Sequence, residues 1–204
     1  MKLIDLSVPI TQNMPVYPGD PKTEIKPAGK LQKDGYEDHY ISFGTHAGTH
    51  IDAPSHMILN GKTLDQFPLE KFTGRGVSIK IQNKQFDLST IQSADIHEGD
   101  IVLFQTGMSD KYFTKEYFEE YPEFPEEIVH YLIQKKLKMI GIDTCSVDHE
   151  TLTAHKLFLQ NDILIIENLT NLEAIKDKQF TVYAFPLKLS LDGSPVRVVA
   201  KIKE

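Results

Sequence analysis

Short apolar runs separated by turn residues set the rhythm of this chain of 204 residues. Stretches rich in β-branched and aromatic side chains predict strands at Leu3–Leu6, Tyr40–Phe43, Val77–Ile81, Ile101–Phe104, Met139–Ile142, Ile163–Ile166, Phe180–Phe185 and Val196–Ile202. Helical periodicity is rarer. It predicts helices at Ser89–Ser93, at Glu126–Lys136 behind Pro125, and at Thr153–Gln160. In the second of these Ile128, Val129, Leu132 and Ile133 share a face, with carboxylates early and lysines late as the helix dipole favours, so it should pack on a sheet. The mixture implies an α/β chain with a mixed or mainly antiparallel sheet and few flanking helices. Neither a repeat nor a Pro/Gly/Ser-rich linker divides residues 1–204, so a single domain is expected.

Two of the apolar runs end in an acid: Met139–Ile142 leads into Asp143, and Ile163–Ile166 into Glu167. In sheets covered by helices, ligand sites collect outside the carboxyl ends of strands, so both acids are candidates by position. Glu167 is the stronger. A carboxylate that follows four aliphatic residues must be paired, coordinated or hydrogen-bonded, because burying it bare is very costly.

Composition removes several function classes. Charged residues make up 25% of the chain and no apolar run reaches the roughly 18 residues of a membrane-spanning helix. A formal net charge of −7 without a basic stripe argues against nucleic acid and anionic membranes as partners. The opening Met1-Lys2-Leu3-Ile4-Asp5 lacks the apolar stretch of a secretory signal, and a cytoplasmic location is the expectation. Cys145 is the sole cysteine, so no intrachain disulfide can form; after an apolar run it reads as a buried structural thiol.

Three of the eight histidines crowd into the string His46-Ala47-Gly48-Thr49-His50-Ile51-Asp52-Ala53-Pro54-Ser55-His56. Gly44, Gly48 and Pro54 make a helix improbable there, and an extended or looped segment fits better. In an extended chain alternate residues face the same way, which sets His50, Asp52 and His56 on one side with His46, and a turn at Gly48 could bring His46 back towards His50. Two imidazoles and a carboxylate then converge on a volume suited to zinc or manganese, with coordination positions left for water. His39, His97 and His130 lie in polar surroundings and read as surface residues.

The string resembles the signature His-x-Gly-Thr-His-x-Asp-x-Pro-x-His of the cyclase family, which includes bacterial kynurenine formamidases and, with a variant motif, isatin hydrolases. Every fixed position matches, and the resemblance extends from Ile4-Asp5-Leu6-Ser7 and Tyr17-Pro18-Gly19-Asp20 through Gly141-Ile142-Asp143-Thr144 to Glu167-Asn168-Leu169. It implies a swivelling β/β/α architecture and assembly as a homodimer or larger homo-oligomer. It further implies that His46, His50 and Asp52 bind one divalent ion, that Asp52 bridges to a second, and that His155 and Glu167 complete that second site. Zinc, one ion or two, is the implied metal, with manganese as the alternative. His149 is the rival histidine, but its spacing from Glu167 does not fit.

The expected activity is that of a metal-dependent amidohydrolase. A divalent ion brings the pKa of water towards neutrality for attack on an amide carbonyl, and His56 is the expected general base and then acid, because a free imidazole titrates near neutral pH. Tyr17, Tyr36, Phe43 and Phe67 are candidates to line a pocket for an aryl ring, with core packing at least an equal expectation for Phe43 and Phe67. The leading small-molecule substrate is N-formylkynurenine; the alternative is another small linear or cyclic amide, as in isatin ring opening. A metal-binding protein without catalysis is the competing class, disfavoured because structural zinc sites are usually closed and rich in cysteine.

Overall fold

The structure, a computed structural model, describes residues 1–203. Eleven strands run in chain order as β1 (Lys2–Asp5), β2 (Glu24–Gly29), β3 (Asp38–Ser42), β4 (His50–Asp52), β5 (Thr73–Lys80), β6 (Ile101–Gln105), β7 (Met139–Ile142), β8 (Leu164–Glu167), β9 (Phe180–Tyr183), β10 (Gly193–Pro195) and β11 (Val199–Ile202). Five α-helices accompany them: α1 (Leu31–Asp34), α2 (Leu88–Ser93), α3 (Glu116–Glu119), α4 (Glu126–Gln134) and α5 (Thr153–Gln160). Nine strands make one mixed sheet in the order β1-β11-β9-β5-β6-β7-β8-β4-β10, while β2 and β3 pair only with each other. The parallel centre, β5 to β8, carries antiparallel pairs on both sides.

The sheet is strongly curled. Residues 196–198 alone connect β10 at one edge to β11, next to the other edge, and three residues span at most about 10 Å. Hydrogen bonds stitch the approaching edges: Leu6 N–H donates to the Val198 carbonyl at 2.9 Å and Val198 N–H to Ser7 Oγ at 2.7 Å. The concave side encloses one core, with Ile51, Leu103, Met139, Ile166, Phe180, Val182 and Val198. The convex side of the parallel strands holds a second core in which Ile140, Ile142 and Ile165 meet Val129 and Leu132 of α4 and Phe158 of α5. Burial on both faces explains why β6, β7 and β8 read as unbroken apolar runs rather than alternating ones.

The mixed sheet with few helices is as expected, and β6, β7, β8, α4 and α5 fall where their patterns put them to within two residues. Three strands, β2, β4 and β10, were not anticipated, nor were the short α1 and α3. The run expected as one strand from Val196 to Ile202 forms β11 only from Val199, because 196–198 make the crossing between the two sheet edges. Among the described residues, no helix is long and apolar enough to cross a membrane.

Candidate metal centre

The central motif folds as a turn followed by a strand. Gly48, at φ +63°, makes the turn that an L side chain would resist. Its carbonyl lies 2.8 Å from Nδ1 of His50, so His50 Nδ1–H donates to it and Nε2 is left facing the site. In β4, His50 and Asp52 point to one face and Ile51 to the opposite core. The register sets His50 opposite Glu167 of β8, so that acid joins the same face. α5 covers this face and brings His155, whose Nδ1 lies 2.6 Å from Asp148 Oδ1; its Nε2 is thereby turned towards Glu167 Oε1 at 3.2 Å and Asp52 Oδ2 at 3.7 Å.

Beside a group formed by His46, His56 and Asp192, two deeper donor sets overlap, His46 with His50 and Asp52, and Asp52 with His155 and Glu167, each of the three with one donor atom per residue mutually within 4.8 Å. Asp52 belongs to both. The six residues selected from the sequence converge here: His46, His50, His56, His155 and Glu167 line a cavity of about 220 Å³, and Asp52 is fully buried against them. His50 Nε2, Asp52 Oδ2 and Glu167 Oε1 are buried without a hydrogen-bond partner, although each lies close to groups of the opposite sign. Unpartnered buried polar atoms are costly. Three aimed into one volume, with histidine tautomers fixed from behind, fit a divalent cation of the zinc or manganese type.

Electrostatics agree. Burial pulls the His50 imidazole down, but Asp52 and Glu167 outweigh it and hold the pKa at about 10. Burial acts likewise on His155, and Asp148, Asp52 and Glu167 raise it well above the ordinary value. Burial would raise Asp52, yet His50 and His46 keep it well below the usual carboxylate range. Protons on these histidines stand where cationic charge is wanted. His56 behaves differently: burial and the neighbouring His46 and His155 lower it despite Asp52. It stays neutral near pH 7.

Besides Asp148, which orients His155, a second residue escaped the sequence reading. Asp192, in the loop before β10, lies with Oδ2 2.9 Å from His46 Nε2 and 3.4 Å from His56 Nδ1, tying the two imidazoles together from opposite ends of the motif. Their rings lie 4.0 Å apart. An Asp-Gly pair after Ser190-Leu191 reads as an ordinary turn, and the sequence carries no signal that it reaches the motif. Asp143, a candidate by position, spends its carboxylate on Thr106 and Gly107, accepting from both backbone N–H groups at 2.7 and 2.9 Å, and so fastens a loop. Of the four aromatic residues expected at the pocket, only Tyr17 lines the cavity; Phe67 packs on the enclosed core, Phe43 lines a separate groove, and Tyr36 lies over Gly29 of the β2–β3 hairpin. Cys145 is buried, as expected, but borders the cavity. His149 packs on Tyr121 and faces that residue's carbonyl, away from both donor sets.

Residues 4–149 match the family described as "Putative cyclase", and the chain belongs to that family. It is 35% identical over 98% of its length to 99% of an uncharacterized protein of Methanocaldococcus jannaschii, MJ0783. It is 29% identical over 97% of its length to 96% of a kynurenine formamidase of Bacillus cereus. Isatin hydrolase A of Labrenzia aggregata superposes with a TM-score of 0.88 at 26% identity, covering 100% of this chain and 94% of that one. Of these, isatin hydrolase A is the one superposed, and it shares the curled sheet of this chain.

Proposed function

We propose that the protein is a metal-dependent amidohydrolase that cleaves arylformamides, with N-formylkynurenine as the leading substrate, giving kynurenine and formate. The observation that supports it most is the pair of donor sets sharing Asp52 at the floor of a cavity with aromatic and aliphatic walls. His46, His50 and Asp52 would hold one divalent ion, and Asp52, His155 and Glu167 a second. When bound, the metal supplies Lewis acidity and activates water at neutral pH.

The remaining work falls to the chain. His56 borders the cavity beside the donor sets, and its lowered pKa leaves it a base at neutral pH, able to take a proton from the attacking water and return it to the departing aryl amine. Asp192 positions His56 and His46 together. Tyr17, Met57, Phe118 and Leu152 would enclose the aryl ring and exclude bulk water. Hydrolysis of a cyclic aryl amide is the second reading, favoured by the superposition on isatin hydrolase.

The test is a hydrolysis screen of N-formyl aromatic amines and cyclic amides with the purified protein loaded with zinc or manganese, alongside elemental analysis. Formanilide-type turnover that depends on bound metal is expected. Turnover of cyclic amides alone would replace the leading substrate by the second reading, and no turnover of either class would refute the proposal.

A further inference from the structure

The Tyr17-Pro18-Gly19-Asp20 segment belongs to the family resemblance yet supplies nothing to the donor sets. It folds as a tight turn in which Asp20 N–H donates to the Tyr17 carbonyl at 3.0 Å, with Gly19 at φ +101°. Proline then glycine at the two central positions makes such a turn rigid. The turn places both of its end residues, Tyr17 and Asp20, in the cavity wall. Tyr17 meets Phe118 edge to face, with ring centroids 6.3 Å apart at 76°.

Charge in that wall is one-sided. No lysine or arginine lines the cavity, and once Glu167 is assigned to the metal, Asp20 is the sole carboxylate left among the lining residues. Asp20 forms no ion pair among the described residues. An exposed carboxylate that shares a cavity wall with two aromatic rings is an environment for an ammonium group, which both ion pairing and ring quadrupoles attract. A substrate carboxylate would find no cation there.

We propose that the Tyr17–Asp20 turn recognises a cationic, ammonium-bearing substituent on an aryl amide substrate, with Asp20 as its charge partner and Tyr17 and Phe118 as its aromatic walls. The inference rests on the amidohydrolase reading and deepens it: aryl amides bearing an ammonium are preferred over neutral ones, and neutral ones over those whose only charge is a carboxylate.

Two measurements separate this inference from the reading beneath it. The first compares kcat/KM for three formanilides of similar size, carrying an aminoalkyl, an alkyl or a carboxyalkyl group, in the metal-loaded wild type and Asp20→Asn. The amine-to-neutral ratio exceeds one in the wild type and falls about fivefold in the variant, the size expected for a solvent-accessible charge pair. An unchanged ratio, or a preference for the carboxylate, overturns the inference. The second measures binding of phenethylammonium, phenethyl alcohol and phenylpropionate to both proteins by calorimetry, so that the inference is decided even if no formanilide is hydrolysed and the amidohydrolase reading fails. Selective ammonium binding that weakens in Asp20→Asn supports it; equal binding of all three by both proteins overturns it.

Discussion

Replacing Gly193 with alanine should disable the site without touching any chemically reactive group. Gly193 stands opposite Asp52 in the β10–β4 register, and a Cβ added there would lie 2.8 Å from His46 Cε1 and 3.2 Å from its Nε2. The Ile51 carbonyl on the neighbouring strand, 3.1 Å from the same Cβ, crowds it as well. Carbon atoms in contact normally stand about 3.5–4.0 Å apart, so the imidazole has to yield by roughly 0.7 Å or more. That movement disturbs contacts that hold the ring in place, Nδ1 to Asp52 at 2.7 Å, Nε2 to Asp192 at 2.9 Å and the His56 ring 4.0 Å away. Overpacking of this kind costs about 1–3 kcal/mol of stability, whereas an active-site group misplaced by about 1 Å can cost on the order of 100-fold in rate. Urea denaturation, metal content and turnover should be measured together, with Gly44→Ala as control, since a Cβ at Gly44 would meet only Pro21 at 3.6 Å and beyond. A folded Gly193→Ala protein with wild-type metal content and turnover would refute the claim that His46 must occupy its observed place.

Four further outcomes are expected. His56→Ala should lower turnover by roughly 100- to 10,000-fold, the usual worth of a general acid–base group, with metal content near wild type; loss of metal would make His56 a ligand instead. Asp192→Asn keeps the size but not the charge that holds His46 and His56, and should reduce kcat more than it raises KM, as steady-state kinetics will tell. Glu167→Gln should lose at least one equivalent of bound metal in elemental analysis while the fold survives by circular dichroism. In the metal-free protein the raised pKa of His50 stabilises the fold fully below its unfolded value of 6.5, and that stability is lost as pH rises through about 10. Metal in place of the proton removes this loss, so the gap in melting temperature between metal-loaded and metal-free protein should widen between those limits. A constant gap would contradict the assignment of His50 as a ligand.

Legibility in the sequence followed the physics of each element. β6, β7 and β8 announced themselves because burial on both faces demands unbroken aliphatic runs, and α4 because its apolar residues recur at helical spacing. β4 did not, since two of its three residues, His50 and Asp52, are polar and owe their extended pairing to β8 and β10 rather than to local preference. β10, Gly193–Pro195, carries two residues that ordinarily interrupt strands. The close-set motif exposed His46, His50, Asp52 and His56, and Glu167 was exposed by the aliphatic run before it, while His155 was reached through the family resemblance. Asp192 and Asp148 stayed hidden: their parts depend on the loop before β10 and on the start of α5, positions set by tertiary structure. The sheet's curl was equally invisible, because it follows from residues 196–198 joining strands at its two ends.

The central claim is that hydrolysis depends on a divalent ion held by these residues. The direct measurement is turnover of an N-formyl aromatic amine by the protein as purified, after chelation and dialysis, and after stoichiometric return of zinc or manganese, with circular dichroism recorded at each stage. The account predicts that activity disappears with the metal, that the fold persists, and that activity returns with the ion. Full turnover by demonstrably metal-free protein would contradict it.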